Sequence, residues 1–310
     1  MNSTATRTVV FAYHNVGVRG LSVLLANNVD VGLVVTHEDS PEENIWFNSV
    51  AELARLNDIS VITPKDPNTD EVIAQIRSYQ PQWFFSFYYR HMLGQTLLSI
   101  PTRGAYNLHG SLLPKYRGRV PINWAIINGE QETGASLHRM EIKPDAGPLL
   151  DQQAVPILPN DTAHDVFLKV TCASEMVLQR VIPELLAGTA QETALDLKQG
   201  AYYGGRTEAD GCIDWNSDAV DIHNLIRAVA PPYPGAFCFI NNKRLNILGS
   251  YYRAEKARSK NVCIYWQFGA CWLDCKDGKR IRLTRLFADN IELDEVNFSR
   301  IFGSSNLTIF

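Results

Sequence analysis

Short apolar runs alternate with helix-period segments through the first part of this chain. The first two runs, residues 8–12 and 31–35, are continuous and rich in valine, which is typical of strands buried on both faces. Between them, Val18, Leu21 and Leu24 recur at helical spacing. The pattern predicts an α/β fold, a Rossmann-like doubly wound sheet that is mostly parallel. It continues with helices predicted near 43–57 and 69–79 and strands at 59–63 and 83–88.

The character of the sequence changes after a long predicted helix at 163–187. Gly204–Thr207 indicates a linker, and a further helix is predicted near 218–229. Short alternating strands then predict a small antiparallel β-barrel that resembles the OB fold. We therefore expect two domains, residues 1–203 and 204–310. The barrel strands are predicted at 236–240, 245–248, 262–266, 270–275 and 280–287.

Composition and hydropathy limit the class of protein. The chain has 310 residues, of which 45% are hydrophobic and 20% charged, as in ordinary globular proteins. The polar segment Met1–Arg7 lacks the apolar core of a secretory signal, and no apolar run approaches the roughly 20 residues that span a bilayer. We expect a cytoplasmic protein that does not bind a membrane.

Several cofactor motifs are absent from the sequence. Tyr13–Gly17 follows the first strand without a GxGxxG pattern, and no GxxxxGK[ST] loop occurs, which disfavours nicotinamide, flavin and nucleoside triphosphate chemistry. The six cysteines include no CxxC pair, so we interpret them as buried thiols and expect no metal site.

An amide, an imidazole and a carboxylate mark the predicted reaction centre. Asn107 and His109 lie two apart in a predicted strand at 105–109, so they share one face. A later loop, Asp145–Gly147, supplies the carboxylate. These groups can transfer an acyl group without a metal. The amide can donate to an oxyanion, the imidazole can move a proton, and the carboxylate can fix the imidazole tautomer and stabilise its charged form.

These residues and their spacing resemble the folate-dependent formyltransferases, which include methionyl-tRNA formyltransferase and the sugar-nucleotide N-formyltransferases. The resemblance covers nearly the whole chain and is strongest from Trp83 to Gln152. It implies N10-formyltetrahydrofolate as the formyl donor, no metal, and catalytic roles for Asn107, His109 and Asp145. The motifs that carry it are Asn107-Leu108-His109, Ser111-Leu112-Leu113-Pro114, Arg117-Gly118, Glu132-Thr133-Gly134 and Asp145-Ala146-Gly147. The folate contacts implied are Phe87, Tyr88, Arg90, His91, Met92 and Leu93.

Within the family, the chain is most similar to the formyltransferase half of the bifunctional polymyxin-resistance enzyme. That resemblance implies UDP-4-amino-4-deoxy-L-arabinose as the acceptor and a role in lipid A modification, although dTDP- and GDP-linked amino sugars stay open. It is carried by Arg117-Gly118-Arg119 and Leu137-His138-Arg139-Met140. The tRNA enzymes commonly have small residues where Arg119 stands, and its guanidinium can grip a diphosphate as a planar fork.

Other residues are candidates for binding the acceptor. His14 ends the first strand at the edge where ligands enter such sheets. Arg206 and Thr207 lie in the predicted linker, and Tyr233 can stack on a base or pack the proline-rich turn. The predicted acceptor contacts are His14, Ser111, Arg119, Arg206, Thr207 and Tyr233.

Two alternative functions stay open, and so does the assembly of the chain into a homodimer. Methionyl-tRNA as acceptor requires a strongly basic surface, whereas residues 211–310 carry 13 Lys and Arg against 10 Asp and Glu, a balance of only +3. Nucleic acid is therefore not the expected partner. A non-catalytic folate- or nucleotide-binding module is the second alternative. A homodimer contact is predicted at Trp266, Phe268 and Trp272.

Overall fold

The computed structural model describes residues 7–309. Most of the polar segment Met1–Arg7, from which we expected no secretory signal, lies outside the described residues. The described chain forms two compact units. The first contains residues 7–121, 133–155 and 168–203, and the second contains residues 122–132, 156–167 and 204–309.

Eight α-helices, two short 3-10 helices (Leu197–Gln199 and Glu208–Gly211) and sixteen strands make up the secondary structure of residues 7–309. The helices are α1 (His14–Ala26), α2 (Val50–Leu56), α3 (Asp70–Ser78), α4 (Gln95–Leu98), α5 (Pro121–Ile127), α6 (Ala163–Ala187), α7 (Ala219–Ala228) and α8 (Glu295–Phe302). The first nine strands are β1 (Thr8–Ala12), β2 (Val31–Val35), β3 (Ser60–Ile62), β4 (Trp83–Phe87), β5 (Gly104–His109), β6 (Arg117–Gly118), β7 (Glu132–Arg139), β8 (Leu149–Pro156) and β9 (Tyr202–Tyr203). The others are β10 (Ala236–Ile240), β11 (Lys243–Lys256), β12 (Cys263–Gln267), β13 (Ala270–Asp274), β14 (Lys279–Ala288), β15 (Ile291–Glu292) and β16 (Asn306–Thr308).

The first unit is built on a seven-stranded sheet in the order β3-β2-β1-β4-β5-β7-β8. The pairs from β3 to β5 are parallel, and β7 is antiparallel to β5. The doubly wound, mostly parallel sheet predicted from the sequence is thus confirmed. The strand order reverses between β1 and β4, and ligands of such sheets bind beyond the carboxyl ends of the strands at this point.

One predicted helix of the first unit is shorter than expected. A helix near 43–57 was predicted, but α2 begins at Val50, and residues 43–49 are not helical. The start is fixed by Ser49, whose hydroxyl accepts the backbone N–H of Glu52 at 3.2 Å as an N-cap. Upstream, Phe47 packs on Tyr13 with ring centres 5.0 Å apart, so tertiary contacts hold this stretch.

The second unit is built on an antiparallel sheet with the open order β10-β11-β14-β13-β12-β16, and β15 pairs with β14. Within the described residues this curled sheet forms a half-barrel, in agreement with the predicted β-barrel class. Three of its hairpins turn through two residues that both have positive φ, as right-twisted strands require. The turn pairs are Asn241-Asn242, Phe268-Gly269 and Asp289-Asn290.

The predicted dimer residues lie in different surroundings. Phe268 is 97% exposed at the turn between β12 and β13. Trp272 carries the guanidinium of Arg280 over its ring at 4.1 Å, and Trp266 packs against Phe298 at 6.3 Å. Of the three aromatic rings, only that of Phe268 is fully presented to solvent.

The interpretation of the cysteines as buried thiols is confirmed at four of the six positions. All six are free, but Cys172 and Cys212 are exposed, contrary to the prediction. Burial raises the pKa of the Cys238, Cys271 and Cys275 thiols to about 12, so these thiols stay protonated and unreactive. Over residues 7–309, no group of three or more His, Cys, Asp or Glu side chains is arranged to hold a metal ion. No helix in that range is long and apolar enough to cross a bilayer.

A buried histidine gives the second unit a defined pH dependence of stability. His223 is 1% exposed; its Nε2–H donates to the Pro159 carbonyl at 3.0 Å, and its Nδ1 lies 2.8 Å from the Ser250 hydroxyl. Burial is the main cause that lowers the pKa of His223 to about 4. The unfolded chain takes up this proton near pH 6.5, so it binds more protons than the folded chain between pH 6.5 and 4.

We therefore expect the free energy of unfolding to fall by about 3 kcal/mol through His223 as the pH drops from 6.5 to 4. Chemical denaturation at several pH values measures this slope. Gln can donate to the same carbonyl and accept from the same hydroxyl without titrating, so His223→Gln flattens the curve. His37 of the first unit, whose pKa burial also lowers to about 4, contributes equally to both proteins. Identical slopes would show that His223 carries no linked proton.

Candidate active site

Strand β5 places the two predicted catalytic side chains at the carboxyl end of the sheet. Asn107 and His109 lie two residues apart on this strand, and both approach the same oxygen of Asp145. His109 is only 6% exposed. The shared face predicted from the sequence thus brings the amide, the imidazole and the carboxylate together.

The ring of His109 is held by the backbone of the following loop. Its Nε2 lies 2.8 Å from the carbonyl oxygen of Tyr116, which can only accept, so Nε2 carries the proton. Its Nδ1 lies 3.6 Å from Oδ1 of Asp145. The Tyr116 carbonyl therefore fixes the tautomer, and Nδ1 is the ring nitrogen that can exchange a proton opposite the carboxylate.

Asp145 lies in a strained loop, and glycines at two positions, Gly147 and Gly118, allow the close contacts that hold it. Its own φ is +50°, a left-handed conformation uncommon for an aspartate. At Gly147 a Cβ would stand 2.1 Å from the Arg139 carbonyl, so only glycine lets the loop pass that close to β7. On the other side, Oδ2 of Asp145 accepts the backbone N–H of Gly118 at 2.8 Å, where φ is +99°.

The surroundings of Asp145 keep it ionised. Burial raises the pKa of this carboxyl, but His109, His138 and the Gly118 N–H together outweigh burial and hold the pKa well below its usual range. The side chain is 11% exposed. Asp145 therefore carries a negative charge at neutral pH.

His138 is a member of the site that was not among the predicted catalytic residues. It lies opposite Asn107 in the antiparallel register of β5 and β7, and it is 1% exposed. Its Nδ1 donates to the Arg139 carbonyl at 2.8 Å, and its Nε2 lies 3.2 Å from Nδ2 of Asn107 and 3.4 Å from Oδ1 of Asp145. In the neutral ring Nε2 therefore accepts from the Asn107 amide, and in the charged ring it donates to the Asp145 carboxylate. The same amide nitrogen lies 3.4 Å from Oδ1 of Asp145. Two acceptors thus orient the amide of Asn107.

We expect His138 to act as a positioning residue. His138→Phe removes one acceptor for the Asn107 amide, and misaligned donors typically cost about tenfold to hundredfold in rate. The loss should appear in kcat, with the KM of both substrates within about twofold of the wild-type value. His138→Gln, whose carbonyl can accept the same N–H, should recover most of the rate. A Gln variant as slow as the Phe variant would instead indicate a packing role.

Two glycines and a buried serine determine the path of the loop after β5, beside the predicted reaction centre. At Gly110 a Cβ would stand 2.1 Å from the Tyr88 hydroxyl, and at Gly200 it would stand 1.9 Å from the Pro114 carbonyl. Ser111, a predicted acceptor contact, is fully buried, and its hydroxyl donates to the Lys115 carbonyl at 2.6 Å. Its hydroxyl thus closes the turn that presents the Tyr116 carbonyl to His109.

The predicted folate contacts begin at Phe87, the last residue of β4, and continue into the loop after it, at the point where the strand order reverses. They divide by burial: Phe87 and Leu93 are 0% and 7% exposed, whereas Met92 is 58% exposed. The Met92 carbonyl accepts from Asn68 at 3.0 Å, which pins the loop. Tyr88, with φ of +57°, lies against Gly110, while Arg90 and His91 lie at the surface.

A charged and aromatic cluster missed by sequence reasoning surrounds Arg90. Its guanidinium is paired with Glu43, with Nη1 to Oε2 at 2.8 Å, and lies 4.6 Å over the ring of Tyr13. Its backbone N–H donates to Nε2 of His37 at 3.1 Å. Burial, followed by the charges of His91 and Arg90, lowers the pKa of His37 to about 4, so this imidazole stays a neutral acceptor.

The other predicted acceptor contacts of the first unit are His14 and Arg119. His14 begins α1 with φ of +67°, and its ring lies 4.5 Å from Trp46 and 3.9 Å from Phe47. Arg119 is exposed, and its backbone N–H donates to the Tyr203 carbonyl at 3.0 Å. His14 is therefore packed among aromatic rings, and the guanidinium of Arg119 is open to a ligand.

The remaining predicted contacts belong to the second unit. Arg206 lies 4.7 Å over the ring of Trp124 and donates to the Asp210 carbonyl at 2.7 Å. Thr207 caps a short 3-10 turn, and its hydroxyl bonds the Asp210 carboxylate at 3.0 Å. Burial raises the pKa of Tyr233, which hydrogen-bonds the Asn123 side chain. The Arg206–Trp124 pair is a cation–π platform, whereas Thr207 and Tyr233 have local structural partners.

Comparison with known proteins gives the family. A formyl transferase model matches residues 18–182, and a model of the formyl transferase C-terminal domain matches residues 206–299. The N-formyltransferase from Helicobacter canadensis, solved with folinic acid and dTDP-3-aminofucose, is 23% identical with a TM-score of 0.72, covering 91% of this chain and 99% of that chain. WlaRD, a sugar 3N-formyl transferase solved with dTDP and 5-N-formyl-THF, is 22% identical with a TM-score of 0.74 and coverages of 93% and 100%.

A 4-N formyltransferase from Francisella tularensis is 20% identical, with a TM-score of 0.62 and coverages of 76% of this chain and 93% of that chain. At these identities the three structures show a common fold. The family models add the sequence evidence, and the catalytic-domain model spans more than half of the chain. The protein whose amide, imidazole and carboxylate meet at the end of β5 therefore belongs to the formyl transferase family of enzymes.

Proposed function

We propose that this protein moves a formyl group from N10-formyltetrahydrofolate to the amine of a nucleoside-diphosphate-linked amino sugar. The observation that carries the proposal is the convergence of Asn107 and His109 on the buried carboxylate of Asp145. The substrate classes are supported by the two structures above that were solved with a folate derivative, one with dTDP and the other with a dTDP-linked amino sugar.

The chemistry needs one proton route and one oxyanion site. The amine nitrogen bonds to the formyl carbon, a tetrahedral intermediate forms, and the bond from that carbon to N10 of the donor breaks. The amine loses a proton and N10 gains one, so the overall proton count is unchanged. Nδ1 of His109 is the atom that can take up and return this proton, because its Nε2 is bonded to the Tyr116 carbonyl.

Asp145 supports the charged form of His109. Its Oδ1 lies 3.6 Å from Nδ1, so a proton taken up there is stabilised by an adjacent negative charge. Both groups are nearly excluded from solvent, with side chains 7% and 11% exposed, which strengthens the interaction.

Asn107 supplies the donor for the oxyanion. Its amide contacts to His138 and Asp145, at 3.2 and 3.4 Å, are longer than an ordinary hydrogen bond of about 2.9–3.0 Å. One N–H can therefore turn toward the formyl oxygen as negative charge develops on it, while the other contact keeps the amide oriented. Such a donor typically contributes about 10²–10³ in rate.

For the acceptor, we propose UDP-4-amino-4-deoxy-L-arabinose as the first sugar nucleotide to test. The support is the sequence motif in which Arg119 follows Arg117-Gly118, together with the exposed position of the Arg119 side chain. The weak charge balance of residues 211–310, 13 Lys and Arg against 10 Asp and Glu, favours this class over tRNA.

The test is formyl transfer by the purified protein, with N10-formyltetrahydrofolate as donor. UDP-4-amino-4-deoxy-L-arabinose, dTDP-3-aminofucose and charged initiator tRNA are offered in parallel, and mass spectrometry detects the formylated product. Turnover of a sugar nucleotide supports the proposal, and the preferred base selects the acceptor. Turnover of tRNA alone would replace it with the translation alternative. Binding of folinic acid and nucleotide without any turnover would point to the non-catalytic module.

A further inference from the structure

The buried guanidinium of Arg117, in the first unit, has no anionic partner among the residues that the structure describes. Arg117 is 7% exposed, and its Nε is buried without a hydrogen-bond partner among residues 7–309. Nor does any carboxylate in that range come within the 4.0 Å of an ion pair with it. An arginine does not lose its proton in a protein, so the charge persists. A buried charge without a counter-charge is unfavourable, which makes this side chain an anomaly in the ligand-free fold.

The backbone around Arg117 is firmly held, so its burial does not come from a loosely placed loop. Its N–H donates to the Ala201 carbonyl at 3.1 Å, and β6 pairs with β9 at Tyr202. The ring of the preceding residue, Tyr116, stacks on Tyr203 with centres 5.0 Å apart. The backbone of Arg117, from which the guanidinium extends, is thus fixed by its pairing with β9.

The same segment also holds the reaction centre. The carbonyl of Tyr116 bonds His109, and the N–H of Gly118 bonds Asp145. Arg117 lies between these two residues, so it is tied to both catalytic groups through one peptide unit on each side. Its guanidinium nevertheless makes no ion pair with Asp145, which leaves its charge available to a ligand that reaches the same site.

We propose that Arg117 binds the diphosphate of the acceptor and positions the amino sugar for attack. This inference rests on the proposed function, which supplies a substrate with a diphosphate. A guanidinium presents a planar fork that matches phosphate oxygens, and Arg119, two residues on and exposed, offers a second positive charge. A carboxylate of the folate donor has the same oxyanion chemistry but a single charge. Two guanidiniums therefore fit the diphosphate better.

This assignment differs from the one made from the sequence, where Arg119 alone was chosen as the diphosphate contact. The structure distinguishes the two arginines by burial: the side chain of Arg117 is buried and its Nε has no hydrogen-bond partner among residues 7–309, while Arg119 is exposed. A solvated guanidinium gains little from an ion pair, whereas a buried one gains both charge compensation and hydrogen bonds. Arg117 is therefore expected to contribute more to affinity.

The test is Arg117→Met, which keeps an unbranched apolar stem like that of arginine and removes the guanidinium and its charge. Thermal unfolding is followed without ligand and with inorganic pyrophosphate, UDP, dTDP or folinic acid, and calorimetry gives the affinities. We expect the ligand-free Tm to stay the same or rise, because an uncompensated buried charge is replaced by an apolar side chain. Affinity for UDP or dTDP should fall at least about tenfold, and pyrophosphate should no longer raise Tm. Folinic acid should bind as it does to the wild type.

Arg77→Met is the matched control, since it removes an exposed positive charge from α3 and should change neither affinity nor Tm. If the methionine variant does not fold, Arg117→Lys carries the test: it keeps the charge, loses the fork, and should weaken nucleotide and pyrophosphate but not folinic acid.

Three results would overturn the inference: a ligand-free Tm clearly lowered in a folded Arg117→Met protein, unchanged nucleotide and pyrophosphate binding, or loss of folinic acid in place of nucleotide. Failure of the proposed function looks different. In that case pyrophosphate binding still depends on Arg117, but the wild-type protein formylates no sugar nucleotide. A wild-type protein that formylates a sugar nucleotide while Arg117→Met binds UDP and dTDP normally refutes the inference alone.

Discussion

Replacing His109 by alanine should reduce formyl transfer by about 10²–10⁴-fold, the range for loss of a general acid–base group. Nδ1 of His109 faces Oδ1 of Asp145 at 3.6 Å, and Nε2 of His138 faces the same oxygen at 3.4 Å. Nε2 of His138 is occupied by the Asn107 amide at 3.2 Å, so His138 is not expected to take over the proton transfer of His109. The loss should fall on kcat, because the His109 side chain is nearly buried and offers little surface for ground-state binding.

A second substitution separates proton transfer from support of the loop. His109→Gln can still donate an N–H to the Tyr116 carbonyl but cannot carry a proton, and it should be nearly as slow as the alanine variant. The His223→Gln protein is a crossed control. It should keep its activity while losing the pH slope of stability, whereas the His109 variants should do the opposite. Near-normal turnover by His109→Gln would show that the imidazole acts only as a structural donor.

The sequence predicted the sheet and the core of the site because both rest on local periodicity. A spacing of two residues in a strand guarantees that Asn107 and His109 share a face, whatever the rest of the fold does. The start of α2 was misjudged because one hydroxyl, that of Ser49, outweighed an apolar pattern that continued upstream.

The remaining parts of the site depend on register and on backbone groups, which carry no residue-level signal. His138 lies opposite Asn107 only because β7 returns antiparallel to β5 in one particular register. The groups that hold His109 and Asp145 are the carbonyl of Tyr116 and the N–H of Gly118, and every residue type except proline has both. Likewise, Arg117 and Arg119 are equivalent in the sequence, and burial alone separates them.

Replacing Asp145 by asparagine should reduce kcat by about 10²–10⁴-fold, although the side chain keeps its shape. The new carbonyl can still accept the N–H of Gly118, so the loop is retained. The oxygen that faced Asn107 at 3.4 Å becomes an NH₂ group, which sets two donors against each other and turns the Asn107 amide away. The negative charge opposite Nδ1 of His109 is lost in the same substitution. Asp151 lies on β8 and forms a partly exposed ion pair with Arg180 of α6, so the control Asp151→Asn removes this ion pair and should keep near-normal turnover.

The Asp145 carboxylate contacts both Asn107 and His109, so the effects of substituting Asp145 and Asn107 should not multiply. Once Asp145→Asn has displaced the Asn107 amide, the further change Asn107→Ala should lower kcat by less than about threefold, although on its own it should cost about 10²–10³. Single-turnover rates of the two single variants and the double variant measure this coupling directly. If the two losses multiplied, Asn107 would be oriented independently of Asp145, with His138 as its sufficient anchor. Full coupling means that the carboxylate organises the oxyanion donor and the base together, as a single unit built on the end of β5.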